Sequence, residues 1–338
     1  MIWYDLPMKN KYILILVAVV MLTGNCFGQH DADYEALTKQ LNVRQRQHLV
    51  FCSATPKGVE SIDSFLEKYP ESKHREQVMY LAAIARWNLF NYADAANAYS
   101  AYLKEFPTTR LSSLSMTRLS QSLIRSDQPE KAIEVIDQWK NAAASEQREL
   151  HRADALALLG KFDEARLLVQ SVIINMERAN ENERVISVAQ QQLERLQMIG
   201  RPLPNFEKKI FGTELPLTPS TFKGKVLLVD FWAAWCRPCM GQMPHLVDIY
   251  TEYKNKGFEI LGISLDSDEQ AMKNALTKVG ASWPQYFDGK KWQNDLAVLF
   301  DVHRIPMTIL VDKDGLVQAV NPPPLAIKRL ANQLLAKE

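Results

Sequence analysis

The chain has 338 residues, 47% of them hydrophobic, with 40 basic against 39 acidic side chains and a formal net charge of +1. That length predicts two domains with ample material for packed cores. The charge balance excludes electrostatically driven nucleic-acid binding, and four cysteines are too few for a disulfide-stapled scaffold.

In chain order, Lys9 and Lys11 come first, then an apolar run over 12–22, then the small and polar residues 23–28. This sequence of zones reads as a signal peptide over 1–28, cut after Gly28, and so as export to a bacterial periplasm. The run falls short of the roughly 20 residues of a spanning helix. An uncut anchor at 12–22 and lipidation at Cys26 are the alternatives, although Asn25 is a poor neighbour for lipidation. Cleavage leaves Cys52, Cys236 and Cys239. The odd Cys52 reads as a buried apolar thiol, with intermolecular pairing as its alternative.

Residues 29–198 are poor in glycine and amphipathic with helical spacing. Phe65-Leu66-Glu67-Lys68-Tyr69-Pro70 recurs 37 positions on as Tyr102-Leu103-Lys104-Glu105-Phe106-Pro107. Asn91-Tyr92-Ala93-Asp94-Ala95 recurs as Gln128-Pro129-Glu130-Lys131-Ala132 and as Lys161-Phe162-Asp163-Glu164-Ala165, at offsets of 37 and 33. Each copy is a turn, then acidic residues at a helix start, where the dipole favours them, then Ala where helices meet. Paired helices of this period resemble tetratricopeptide repeats, with about three to four pairs over 57–180. The resemblance implies a solenoid whose concave face docks a protein partner. A spacer or a dimerisation element is the plainer alternative. Aromatics such as Tyr80, Trp87, Tyr99 and Trp139 read as solenoid core.

Pro202 and Pro204 cannot continue a helix, so the domain boundary is expected near 199. The second domain, 199–338, changes pattern. Val226–Trp232 reads as a buried strand and 240–253 as a helix that Pro244 should kink. Residues 257–265 and 304–312 read as further strands, 266–280 as a helix and 283–300 as a mixed segment. Asp314-Gly315 turns into a strand over 316–320, and 325–337 closes as a helix. The pattern is an α/β sandwich of the thioredoxin type behind an all-α repeat region.

The chemistry sits between the first strand and its helix, at Cys236-Arg237-Pro238-Cys239. A cysteine at a helix N-terminus has its thiolate stabilised by backbone N–H groups and the dipole. Cys236 is therefore the expected nucleophile and Cys239, one turn on, the resolving thiol. Arg237 pushes the same way and favours a more oxidising couple. Pro238 restricts the helix start, and Trp235 is expected to pack beside the sulfurs. Asp230, inside the strand, is expected to be buried, with a raised pKa and able to take the proton from Cys239; a hydrogen-bonded structural Asp is its alternative. Pro306 is tolerated at a strand start if the Ile305–Pro306 bond is cis, with Ile305 facing the thiols. One C-x-x-C with a distant Cys52 makes no zinc site, and His245 reads as a surface residue. No metal or cofactor beyond the redox-active pair is expected.

Residues 200–206, 223–239 and 304–308 together resemble the TlpA/ResA-type thioredoxins, over about 140 residues. The insertion over 266–301 between the middle strands fits that group. The resemblance implies a thiol–disulfide oxidoreductase that reduces protein disulfides and is itself reduced by a membrane thiol donor, with Pro306 lining the substrate groove. It also marks departures. Many such proteins carry Asn where this chain has Asp230, and most carry Glu where it has Gln242, which cannot titrate. The repeat domain in front is a further departure. Two rival readings are a scaffold whose redox domain is secondary and a thioredoxin-fold peroxidase; the latter wants a Thr before a lone cysteine, and here Trp235 precedes Cys236 and Cys239 follows it.

Overall fold

The structure is a computed structural model and describes residues 30–46, 49–52, 54–139, 145–179 and 183–337. The predicted signal peptide, with its run 12–22 and Cys26, lies outside the described residues. Among the described residues no helix is long and apolar enough to cross a membrane. Two compact units divide between Thr109 and Arg110.

The first unit holds α1 (30–40), β1 (Arg44–Arg46), β2 (Leu49–Phe51), α2 (Pro56–Lys68), α3 (Arg75–Asn88) and α4 (Tyr92–Glu105). The antiparallel β1–β2 pair corrects the purely helical reading of this stretch. Thr55 caps α2 by accepting the Gly58 N–H at 3.0 Å, and Pro56 opens the first turn, where its missing N–H costs nothing. Leu37, Leu41, Ile62, Phe65, Val78 and Leu81 form the core. Cys52 lies at its margin, half-buried rather than fully buried. Burial pushes its thiol up to about 11.

The second unit begins with α5 (Ser112–Arg125), α6 (Pro129–Gln138), α7 (Ser145–Leu158), α8 (Phe162–Arg178) and α9 (Glu183–Met198), each packed on the next. The repeated sequence pattern has a repeated geometry. Phe90, Asp127 and Gly160 each take a left-handed φ, of 62°, 55° and 76°. Each then closes its helix alike: Asn91 N–H donates to Arg86 O, Gln128 N–H to Leu123 O, and Lys161 N–H to Leu156 O. This helix ending suits glycine; Phe90 adopts it against steric preference. Ala95, Ala132 and Ala165 follow, all fully buried, because a larger side chain there would hold the helices apart.

The chain continues through β3 (Lys208–Lys209), β4 (Pro216–Leu217), β5 (Val226–Trp232), α10 (Arg237–Tyr253), β6 (Phe258–Ser264), α11 (Glu269–Val279), β7 (Gln285–Phe287), α12 (Asp295–Leu299), β8 (Met307–Val311), β9 (Val317–Val320) and α13 (Pro324–Ala336). The main sheet has the order β7-β6-β5-β8-β9. β6 runs parallel to β5 and β8 antiparallel. All seven residues of β5 are buried, as expected for a central strand covered on both faces. This is a thioredoxin-like α/β domain behind a helical repeat region. Gly262 on β6 is required by packing: a Cβ there would meet the Gln285 side chain at 2.1 Å. Gln285 in turn accepts the Trp232 indole N–H at 3.0 Å.

The change of architecture and the boundary of the compact units do not coincide. Helix α9 ends at Met198, and Gly200 turns with φ 85°. Gly200 N–H then donates to Val317 O at 2.8 Å and Val317 N–H to Arg201 O at 2.9 Å, so residues 200–201 pair along the β9 edge. Arg329 of α13 donates two hydrogen bonds to the Asp127 carboxylate, at 2.7 and 2.8 Å, and one to Leu158 O. These bonds, with packing of α9 on β9, tie α5–α9 to the sheet.

Candidate functional site

Strand β5 carries Asp230 and hands the chain to a short loop, Ala233-Ala234-Trp235. Cys236 is the N-cap of α10, with Arg237 and Pro238 in the first turn. Pro is compatible there because the first-turn N–H groups have no intrahelical partner. Cys236 and Cys239 are joined as a disulfide, with Cα atoms 5.2 Å apart. The Cys239 N–H points at Cys236 Sγ, 3.2 Å away. A sulfur receiving a backbone N–H at a helix start is the arrangement that favours thiolate over thiol. Both cysteines are buried, at 5% and 3% exposure.

The loop is fixed from beneath by a residue the sequence reading did not single out. Both Asp266 carboxylate oxygens accept the Ala234 N–H, at 3.1 and 2.9 Å, and Ser264 Oγ donates to the same carboxylate at 2.9 Å. Leu265 N–H donates to Trp232 O at 2.8 Å. The end of β6 therefore sets the path of the chain two residues before Cys236. The one available signal was an Asp closing an apolar strand, which the sequence reading assigned to a helix start.

Asp230 is 2% exposed and its Oδ2 has no hydrogen-bond partner. Burial alone pushes its carboxyl up to about 7. A carboxyl titrating there is suited to exchange a proton with a thiol near neutrality. In register, Asp230 faces Gly262 on β6 and Thr308 on β8. The Ile305–Pro306 peptide is cis and leads directly into β8. Thr308 N–H donates to Asn321 Oδ1 at 2.8 Å, and Asn321 N–H returns a bond to Thr308 O at 2.7 Å, which holds the strand after Pro306. Ile305 and Pro306 are half-buried.

Trp235, directly before Cys236, is 54% exposed, and its ring meets Trp292, with centroids 6.0 Å apart. The ring is presented to solvent instead of being packed into the core, because Asp266 anchors the preceding amide and the helix begins at the next residue. Trp292 belongs to the insertion between β6 and β8, so the insertion reaches the redox loop. Gln242 and His245 lie on α10, half-buried and exposed. Among the described residues no cluster of three or more His, Cys, Asp or Glu side chains could hold a metal ion.

Comparison with known proteins gives two family matches. A thioredoxin-like family model matches residues 224–317, and a tetratricopeptide repeat-like domain model matches residues 10–197. The thiol-disulfide oxidoreductase ResA of Bacillus thuringiensis (strain Al Hakam) is 35% identical over 120 residues, 35% of this chain and 66% of that protein. ResA of Oceanobacillus iheyensis is 30% identical over 139 residues, 40% of this chain and 71% of that protein. A thiol-disulfide oxidoreductase from Bacteroides fragilis NCTC 9343 is 31% identical, and the match covers 40% of this chain and 99% of that structure at a TM-score of 0.37. The chain thus spans about two thirds of the length of the curated relatives it matches.

Proposed function

Because this chain belongs to the ResA-type thioredoxin-like thiol-disulfide oxidoreductases and carries a tetratricopeptide repeat-like domain, we propose that it is an exported reductase of protein disulfides. The observation that carries the reading is the Cys236–Cys239 disulfide at the start of α10, with the Cys239 N–H directed at Cys236 Sγ.

In the dithiol form the Cys236 thiolate attacks one sulfur of a substrate disulfide. A mixed disulfide forms and the other substrate sulfur leaves as a thiolate. Cys239 gives its proton to the Asp230 carboxylate and attacks Cys236 Sγ. The second substrate thiol is released and the Cys236–Cys239 disulfide forms. Two electrons have passed from the enzyme to the substrate, and a dithiol donor, proposed to be in the membrane, restores the enzyme. The cis Pro306 lines the groove that receives the polypeptide, and Ile305 faces the thiols. Arg237 makes the couple more oxidising by stabilising the thiolate.

Residues 199–338 form the redox module and 29–198 a docking module for a protein partner. Export rests on the short apolar run 12–22 and the residues up to Gly28. The test uses the reduced protein and a substrate protein of known disulfide content. Wild type should lose two thiols per chain as the substrate gains two, and Cys236→Ser should transfer none. Full transfer by Cys236→Ser would refute the reading.

A further inference from the structure

The rim of the redox site carries two cations without carboxylate partners. Arg237 is exposed and directly follows the nucleophilic cysteine. Arg304 is exposed and stands two residues before the cis Pro306. Among the described residues neither is within ion-pair distance of an Asp or Glu, whereas Arg75, Arg86, Arg152 and Arg329 each meet a carboxylate. The carboxylate nearest in sequence, Asp301, is paired with His303 at 2.8 Å.

Arg304 is nevertheless held. Its Nη2 donates to the neutral Gln191 Oε1 of α9 at 2.9 Å. Gln191 is oriented by a well-anchored stretch of helix: its neighbour Gln192 is buried and donates to Leu150 O and to Asp154, at 2.9 and 2.7 Å. One turn on, Arg195 adds positive charge. Burial lowers its guanidinium pKa, Asp154 raises it, and repulsion from Arg304 lowers it again. A neutral partner fixes the direction of the Arg304 side chain and leaves its charge available. His303, next to Arg304 in the chain, lines one cavity with Trp292, whose exposed ring meets that of Trp235.

We propose that Arg304, held by Gln191 of the repeat region, acts with Arg237 to select acidic polypeptide: the preferred substrate is a protein disulfide with Asp or Glu next to the attacked cysteine. This rests on the reductase reading above. The last helix of the repeat region is then a specificity element of the thiol site. Charge complementarity argues for the occupant, since a flanking carboxylate gives each guanidinium the partner it lacks.

The test uses two synthetic disulfide peptides, alike except that Glu flanks the cysteine in one and Gln in the other. Reduced full-length protein should react about five-fold faster with the acidic peptide at low salt, the order expected of two partly exposed ion pairs. The ratio should shrink at about 0.5 M salt. It should fall to about two-fold in Arg304→Gln, where the Arg237 pair alone remains, survive largely in Arg304→Lys, and fall in Gln191→Glu, which neutralises Arg304 in place. Equal rates for both peptides in wild type would overturn the proposal and leave the reductase reading intact. A wild-type ratio that none of the variants changes would overturn it also. Failure of wild type to react with either peptide would refute both.

Discussion

Asp230→Asn tests the buried carboxyl directly. An ordinary carboxyl titrates at 3.8 and this one at about 7 in the folded chain, with burial as the cause. The two values differ by about 4 kcal/mol in the cost of ionisation. Below pH 3.8 folded and unfolded chains both hold the proton, and the penalty vanishes. Between pH 3.8 and 7 the unfolded chain is ionised while the folded chain keeps its proton, so stability falls as pH rises. Above pH 7 the full penalty applies. The penalty is about 1.6 kcal/mol at pH 5 and about 4 kcal/mol at pH 8. Asn cannot ionise, and any loss from burying its amide is the same at both values. The disulfide form of Asp230→Asn should therefore gain about 2.5 kcal/mol on wild type between pH 5 and pH 8. For a unit of this size that is roughly 8 °C in the midpoint of thermal unfolding. Urea or thermal unfolding at the two pH values measures it. A difference constant within about 0.5 kcal/mol would show that burial does not raise the Asp230 carboxyl.

Other consequences follow from single contacts. Resolution of the mixed disulfide by Cys239 should rise with pH through about 7 as Asp230 loses its proton, and in Asp230→Asn it should be slower by about a hundred-fold with that rise gone; stopped-flow measurement of substrate release reports both. Cys52, pushed up to about 11 by burial, should be the slowest thiol of the reduced protein to react with iodoacetamide at neutral pH, and Cys236 the fastest, as peptide mass mapping would show. Gly262→Ala forces a Cβ against Gln285, whose position is fixed by the Trp232 indole; a loss of about 1–3 kcal/mol in urea unfolding is expected. Arg329→Ala leaves the Asp127 carboxylate, 11% exposed at its side chain, without its bidentate partner, and should cost about 1–3 kcal/mol in the unfolding of the second unit.

Much of the site could be read in the sequence because its features are local. Six apolar positions around Asp230 marked the expected strand at Val226–Trp232, the span the structure has. The C-x-x-C spacing and Pro238 marked the start of α10. The motif recurring at 91, 128 and 161 predicted three turns, each leading into a helix with a closely packed Ala; the structure has buried Ala95, Ala132 and Ala165 and adds left-handed residues at 90, 127 and 160. What escaped notice depends on contacts between distant segments. Asp266 holds Ala234 across the sheet, and Gln285 reaches Trp232 through the space Gly262 leaves. The exposure of Trp235 is not encoded locally either, since the loop before it is anchored by Asp266 from another segment. The β1–β2 hairpin is three residues a side, too short for periodicity to register. The tie between α5–α9 and the sheet rests on side chains such as Arg329 and Asp127, about two hundred positions apart in the chain, and no local pattern encodes it.

The most direct measurement of the central claim is a trapping experiment with Cys239→Ala. Without its resolving thiol, the reduced protein should stop at a one-to-one mixed disulfide with a substrate protein, and mass spectrometry should find the bond on Cys236. Release of reduced substrate without an adduct, or an adduct on Cys52 in place of Cys236, would contradict the account.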